Sequence, residues 1–141
     1  MRKLFCFLMP FLFWSQSAYA DEKEALQELR QKIWDGYKQG WAVRTATKTS
    51  LEAQAHRVYL VTLYKGNDYK FQVVGDKNAG DIDLVLHDSD GNEIKRDQSV
   101  DREPQFTYTP TNTKTYYVAV HAAVVTEGVE AVGVAFAVTY K

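Results

Sequence analysis

Between His56 and Tyr140 apolar residues recur at every second position, in short runs separated by turn signals. A period of two places alternate side chains on opposite faces of an extended chain, so this region reads as strands rather than helices. The clearest run is Val132, Val134, Phe136, Val138 and Tyr140, opposed by Gly133, Ala135, Ala137 and Thr139. Ile82, Leu84 and Leu86 make a second, followed by the turn Ser89-Asp90-Gly91-Asn92 and a short return strand from Glu93 to Arg96. Tyr69, Phe71 and Val73 form a third. Phe106 and Tyr108 are closed by Pro110, and Tyr116, Val118 and Val120 follow. His56–Tyr64 carries apolar residues on both faces, the pattern of an interior strand. The segment 75–80 reads as a polar loop and 97–103 as a charged one. Short strands at this spacing predict a mainly β fold, an antiparallel sandwich.

One helix precedes them. Asp21, Glu22 and Glu24 suit the positive end of a helix dipole. Leu26, Leu29, Ile33 and Tyr37 then follow at three- and four-residue steps. Gly36 and Gly40 each disfavour helix, so regular helix is expected to about Gln39. Thr45–Ser50 reads as a polar linker, which divides the chain into a leader (1–20), a helix with linker (21–50) and a sandwich (51–141). The small-residue face opposite Val132–Tyr140 calls for a cover, and a ridge of Ile33, Trp34, Tyr37 and Trp41 is the expected one. The alternative is a free helical arm whose Trp34, Tyr37 and Trp41 form a binding surface.

The leader carries Arg2 and Lys3, an apolar run from Leu4 to Trp14 and the small-x-small triplet Ala18-Tyr19-Ala20. These are the parts of a secretory signal peptide cleaved after Ala20, and the run is too short for an ordinary membrane span. The expected location is periplasmic or secreted. Cys6, the only cysteine, lies in the leader, so no disulfide is expected afterwards. Without Arg2 and Lys3 the chain has fifteen basic and eighteen acidic residues, a net charge of −3. No basic patch stands out, which argues against a nucleic-acid partner.

Gly80-Asp-Ile-Asp-Leu-Val-Leu-His-Asp-Ser-Asp-Gly-Asn92, followed by Phe106-Thr-Tyr-Thr-Pro110 and Thr115-Tyr-Tyr-Val-Ala-Val120, resembles the bacterial pre-peptidase C-terminal domain. That family carries an Asp-x-Asp-Leu strand, an Asp-Gly turn and a late Tyr-Tyr-x-x-Val strand, here in the same order. The resemblance covers about 56–140 and implies a jelly-roll-like β-sandwich. In that family the domain is appended to secreted proteases and serves secretion, solubility or substrate attachment. The related collagen-binding modules of clostridial collagenases bind calcium. No peptidase accompanies the domain in this chain, so a free-standing binding or accessory role is expected, with a protein or an extracellular polymer as partner.

Of the chemistry-bearing groups, Asp81, Asp83, Asp88 and Asp90 are the candidate calcium ligands, with Asn92 and Glu93 as further oxygen donors. Asp81 and Asp83 share a strand face and need not reach the turn, and the competing role for Asp88 and Asp90 is to shape it. His56, His87 and His121 fall on three different strands, and their spacing specifies no common site. Ser50, Ser89 and Ser99 stand in no nucleophile elbow. The chain reads as a non-enzyme; the first alternative to a plain binding or accessory role is a calcium-dependent stability or adhesion module, and the second is a small hydrolase. A pocket uniting histidine, carboxylate and serine would mark the latter.

Overall fold

A computed structural model describes residues 20–141. The expected leader lies outside these residues except for Ala20, and no helix among the described residues is long and apolar enough to cross a membrane. The chain forms one helix, α1 (Glu22–Lys38), and eight strands: β1 (Ala42–Glu52), β2 (His56–Leu63), β3 (Tyr69–Gly75), β4 (Ala79–His87), β5 (Glu93–Arg96), β6 (Gln105–Tyr108), β7 (Lys114–Val125) and β8 (Ala131–Tyr140). Two four-stranded sheets face each other, in the orders β1-β8-β3-β6 and β2-β7-β4-β5. Every pairing is antiparallel. The fold is a jelly-roll-like sandwich preceded by one helix, as the alternation and the family resemblance imply.

The core lies between the sheets. Phe71, Val73, Val134, Phe136 and Val138 from the first sheet meet Leu63, Ile82, Leu84, Leu86, Tyr116, Val118 and Val120 from the second. Each such side chain removed from water contributes about 1.5–3 kcal/mol, which is how a domain without disulfides holds together.

The first sheet has a second, smaller apolar layer on its outer face. There α1 lays Ala25 and Leu29, with Leu26 and Ile33 beside them, onto Val74, Ala135 and Ala137. The small residues of β8 are therefore a seat for the helix, as expected, but the ridge that fills it is different. Trp34 and Tyr37 face solvent, 55% and 62% exposed, whereas Trp41 is 8% exposed. Small residues on the sheet let the helix come so close that alanine and leucine, not aromatics, fit between them. Asp21 caps the helix, its carboxylate accepting from the Glu24 N–H at 2.9 Å. The helix stops at Lys38 in a Schellman turn: Gly40, at φ +94°, donates to Tyr37 O and Trp41 donates to Gly36 O.

The structure departs from three local expectations. Thr45–Ser50 is not a linker but part of β1, which pairs with β8 from Ala42–Tyr140 to Glu52–Ala131 with one bulge at Arg44. As an edge strand it buries only Leu51, so it shows no apolar alternation; main-chain bonding holds it. His56–Leu63 is likewise an edge strand, paired with β7 alone, although its sequence resembles an interior one. In addition, β4 begins at Ala79, inside the expected polar loop.

Candidate interaction face and acidic edge

The helix covers one sheet, and among the described residues nothing packs on the outer face of the other. Strand register decides what that face carries. Across β2, β7 and β4 the outward residues line up in rows: His56, His121 and Asp83; Val58, Ala119 and Val85; Leu60, Tyr117 and His87. Arg96 of β5 stands opposite Val85 and extends the middle row. The three histidines, unconnected in sequence, thus share one face with an apolar middle.

Within the first row the His56 and His121 rings stack with centroids 4.0 Å apart and planes 3° from parallel. His121 Nδ1 lies 3.4 Å from Asp83 Oδ2. Together with Val85, His87, Arg96 and Ala119 these residues line a shallow depression of about 230 Å³. No serine, threonine or cysteine lines it, so the constellation that would mark a hydrolase is not assembled there. Beside it Val58 and Leu60 are 52% and 66% exposed, which is unusual for branched aliphatic residues in the middle of a strand.

The four candidate calcium aspartates are divided between two places. Asp83 belongs to the histidine row. Asp88 opens the β4–β5 turn five residues further on, about 16 Å along an extended strand. The Asp88 carboxylate accepts from the N–H groups of Asp90 and Asn92, both at 2.9 Å, and from the Asn92 side chain at 3.2 Å. Those bonds hold its carboxyl below the usual range, the Asn92 N–H contributing most. Gly91, at φ +85°, completes the turn. Asp88 is thus engaged in shaping the hairpin. Asp81 is different: one of its oxygens is buried without a hydrogen-bond partner. Burial, then the charges of Asp83, Asp101 and Asp97, raise its carboxyl above the ordinary value. Among the described residues no group of three or more His, Cys, Asp or Glu side chains is arranged to hold a metal ion.

The aromatic surface foreseen on the helix is also divided. Trp34 and Tyr37 stack at 5.6 Å, 14° from parallel, with the Lys38 ammonium 5.9 Å from the Trp34 ring. Trp41 has left that surface. Its ring lies beneath two cations, Lys70 at 4.3 Å and Lys141 at 5.1 Å, and joins the helix end to β3 and the last residue. Burial, then the Lys141 charge, lowers the Lys70 ammonium from its usual value.

A further polar centre, Asp76, has no signature in the sequence. Its side chain is fully buried at the start of the β3–β4 turn. Oδ2 accepts from Gly133 N–H at 2.7 Å and from Asp21 N at 2.9 Å, and Oδ1 accepts from Asn78 N–H at 2.9 Å. One carboxylate therefore binds the helix start, β8 and the turn. An aspartate in a polar loop gives no signal of this in sequence.

No protein-family model matches the chain, and no curated protein matches it in sequence. Solved structures do share its fold. One is the pre-peptidase C-terminal domain of a collagenase from Bacillus anthracis, with 17% identity and a TM-score of 0.52 over 68% of this chain and 89% of that one. Another is a periplasmic inhibitor of g-type lysozyme from Aeromonas hydrophila, with 15% identity and a TM-score of 0.54 over 71% of this chain and 88% of that one. At such identities the likeness is one of fold, and it is the fold that the Asp-x-Asp-Leu, Asp-Gly and Tyr-Tyr motifs imply.

Proposed function

We propose that this is an exported, non-enzymatic binding module that engages another protein through the bare face of the β2-β7-β4-β5 sheet. The observation that carries this reading is the exposure of Val58 and Leu60 beside a depression lined by histidine, aspartate and arginine. An apolar middle with a polar rim is the ordinary anatomy of a protein interface. Export is supported by the Ala18-Tyr19-Ala20 leader. A protein partner is supported by the Aeromonas neighbour, a periplasmic inhibitor of an enzyme.

The stacked Trp34–Tyr37 pair favours a second reading, in which the partner is an extracellular polymer such as a polysaccharide held against the helix. Capture of partners from the source cell's own periplasm or medium separates the two. On the first reading Val58→Glu with Leu60→Glu abolishes capture, and Trp34→Ala with Tyr37→Ala leaves it intact. The reverse pattern would replace the sheet face with the helix.

A further inference from the structure

We propose that Asp76 is the seat of the α-ammonium group that leader cleavage creates on Asp21, so that processing itself completes the fold. The proposal rests on the export reading for its cleavage point and on local geometry for everything else.

Asp76 is a fully buried carboxylate. Its partners in the described chain are three backbone nitrogens, those of Asp21, Asn78 and Gly133. Among the described residues no lysine, arginine or histidine side chain forms an ion pair with it. A buried charge held only by neutral donors is costly, and a cation at hydrogen-bond distance relieves that cost. The Asp21 nitrogen stands 2.9 Å from Oδ2. It is also the atom that follows the small-x-small triplet Ala18-Tyr19-Ala20.

Hydrolysis of the Ala20–Asp21 peptide bond by a signal peptidase consumes one water. The carboxylate departs with Ala20, and the nitrogen remains on Asp21 as an ammonium. The neutral amide donor is thereby replaced by a charged one at the same distance. The site is shaped for it: Gly133 has no side chain where the Asp21 backbone passes, and a Cβ there would lie 2.3 Å from the Asp21 carbonyl carbon.

The surrounding charges favour the cation. From the helix cap and α1 come the carboxylates of Asp21, Glu22 and Glu24 and, further along, Glu28; the cation on this side is Arg102 of the loop before β6, which donates to Gly75 O at 2.7 Å and is paired with Glu28. From the β3–β4 turn come Asp76 and Lys77, whose N–H approaches Glu24 at 3.5 Å. On β8 the neighbours of Gly133 are Val132 and Val134, which are uncharged. The positive end of the helix dipole opposes the ammonium, and the carboxylates outnumber that half-charge.

The test compares the chain beginning at Asp21 with one that retains Ala18-Tyr19-Ala20, each with and without Asp76→Asn. At pH 7 the chain beginning at Asp21 should melt higher by roughly 4 °C or more, and Asp76→Asn should abolish the difference. An ion pair with Asp76 raises the amine pKa in the folded state, so the stability it adds is present below the ordinary amine value of about 7.7–8.0 and is lost as pH rises through the folded value. So that the test does not depend on Asp76→Asn folding, the Asp21 amine is also titrated by NMR in the unsubstituted chain, where it should lie about one unit or more above that ordinary range. Equal melting temperatures at pH 7, or an amine titrating at its ordinary value, overturn the ion pair. A first residue other than Asp21 on the exported protein overturns the cleavage point instead.

Discussion

The backbone of Asp21 crosses Gly133 so closely that a Cβ at residue 133 would stand 2.3 Å from the Asp21 carbonyl carbon and 2.4 Å from the nitrogen of Glu22. Both are main-chain atoms, so no flexible side chain can yield. Gly133→Ala must push the helix start off the sheet, breaking the Asp76 bonds to Asp21 and Gly133 together. The expected loss is at least about 2 kcal/mol, read by thermal melting. Limited proteolysis should cut between α1 and β1 before it cuts the sandwich. Unchanged melting and unchanged cleavage would mean that the helix is not docked in this way.

Trp41 and Trp34 should respond oppositely to truncation. Trp41 is buried beneath Lys70 and Lys141, and Trp34 is solvent-facing. Trp41→Ala is expected to cost about 3 kcal/mol, a drop in melting temperature of roughly 10 °C. Trp34→Ala should stay within about 0.5 kcal/mol of the parent. Equal effects would contradict the orientation of the helix.

Asp81 holds a partnerless oxygen beside other carboxylates. Its carboxyl is raised in the folded state, so ionisation at neutral pH works against the fold. That penalty disappears as pH falls through the raised value, where the folded chain takes up the proton first. Asp81→Asn should therefore stabilise the protein at pH 7 by about 0.2–1 kcal/mol and have a smaller effect in acid or in high salt. Destabilisation at pH 7 would show that the carboxylate is doing something the geometry does not reveal.

Tyr116 is fully buried, and burial together with its contact to Tyr108 pushes its phenol up to about 12. An unfolded tyrosine ionises near 10, so the folded chain keeps a proton that the unfolded chain loses. Stability should fall as pH rises from about 10 toward 12, and Tyr116→Phe should flatten that decline. Tyrosinate absorbance in the folded protein should show a late-titrating phenol that Tyr116→Phe removes. An alkaline limb unchanged by the substitution would assign the loss elsewhere.

Millimolar calcium should leave the melting temperature where it is. Asp88 is engaged by the turn it shapes, and Asp83 lies in the histidine row at a distance from it. A rise in melting temperature would mean that the aspartates assemble around an ion after all.

Legibility in the sequence followed the strength of side-chain patterning. β3 and β8, buried by the facing sheet, announce themselves through Tyr69–Val73 and Val132–Tyr140. A cover over Ala135 and Ala137 could be anticipated as well, because a solvent-facing strand side is ordinarily polar, though a free helical arm stayed open until the packing of α1 decided it. β1 could not be read, since an edge strand is held by main-chain bonds that any side chains permit. The edge position of β2 was hidden for a different reason. Val58 and Leu60 look like core residues, and only the tertiary structure shows that they stand on an edge strand, exposed among the described residues.

The candidate face shows the same division. Period-two alternation determines that His56, His87, His121 and Asp83 sit on strands and which neighbours share their side of each strand. Whether those sides coincide depends on sheet order and register, since a shift of one residue would turn the whole set inward. The sequence by itself therefore determined a two-sheet sandwich, a helix and a hairpin with an aspartate-rich turn, because those follow from local periodicity and turn chemistry. Only the tertiary structure decided that three histidines meet on the uncovered sheet, that the helix turns alanine and leucine rather than tryptophan to the protein, and that Asp76 receives the chain at Asp21. These are contacts between residues distant in the chain, set by how the strands stack and by how closely two backbones can approach.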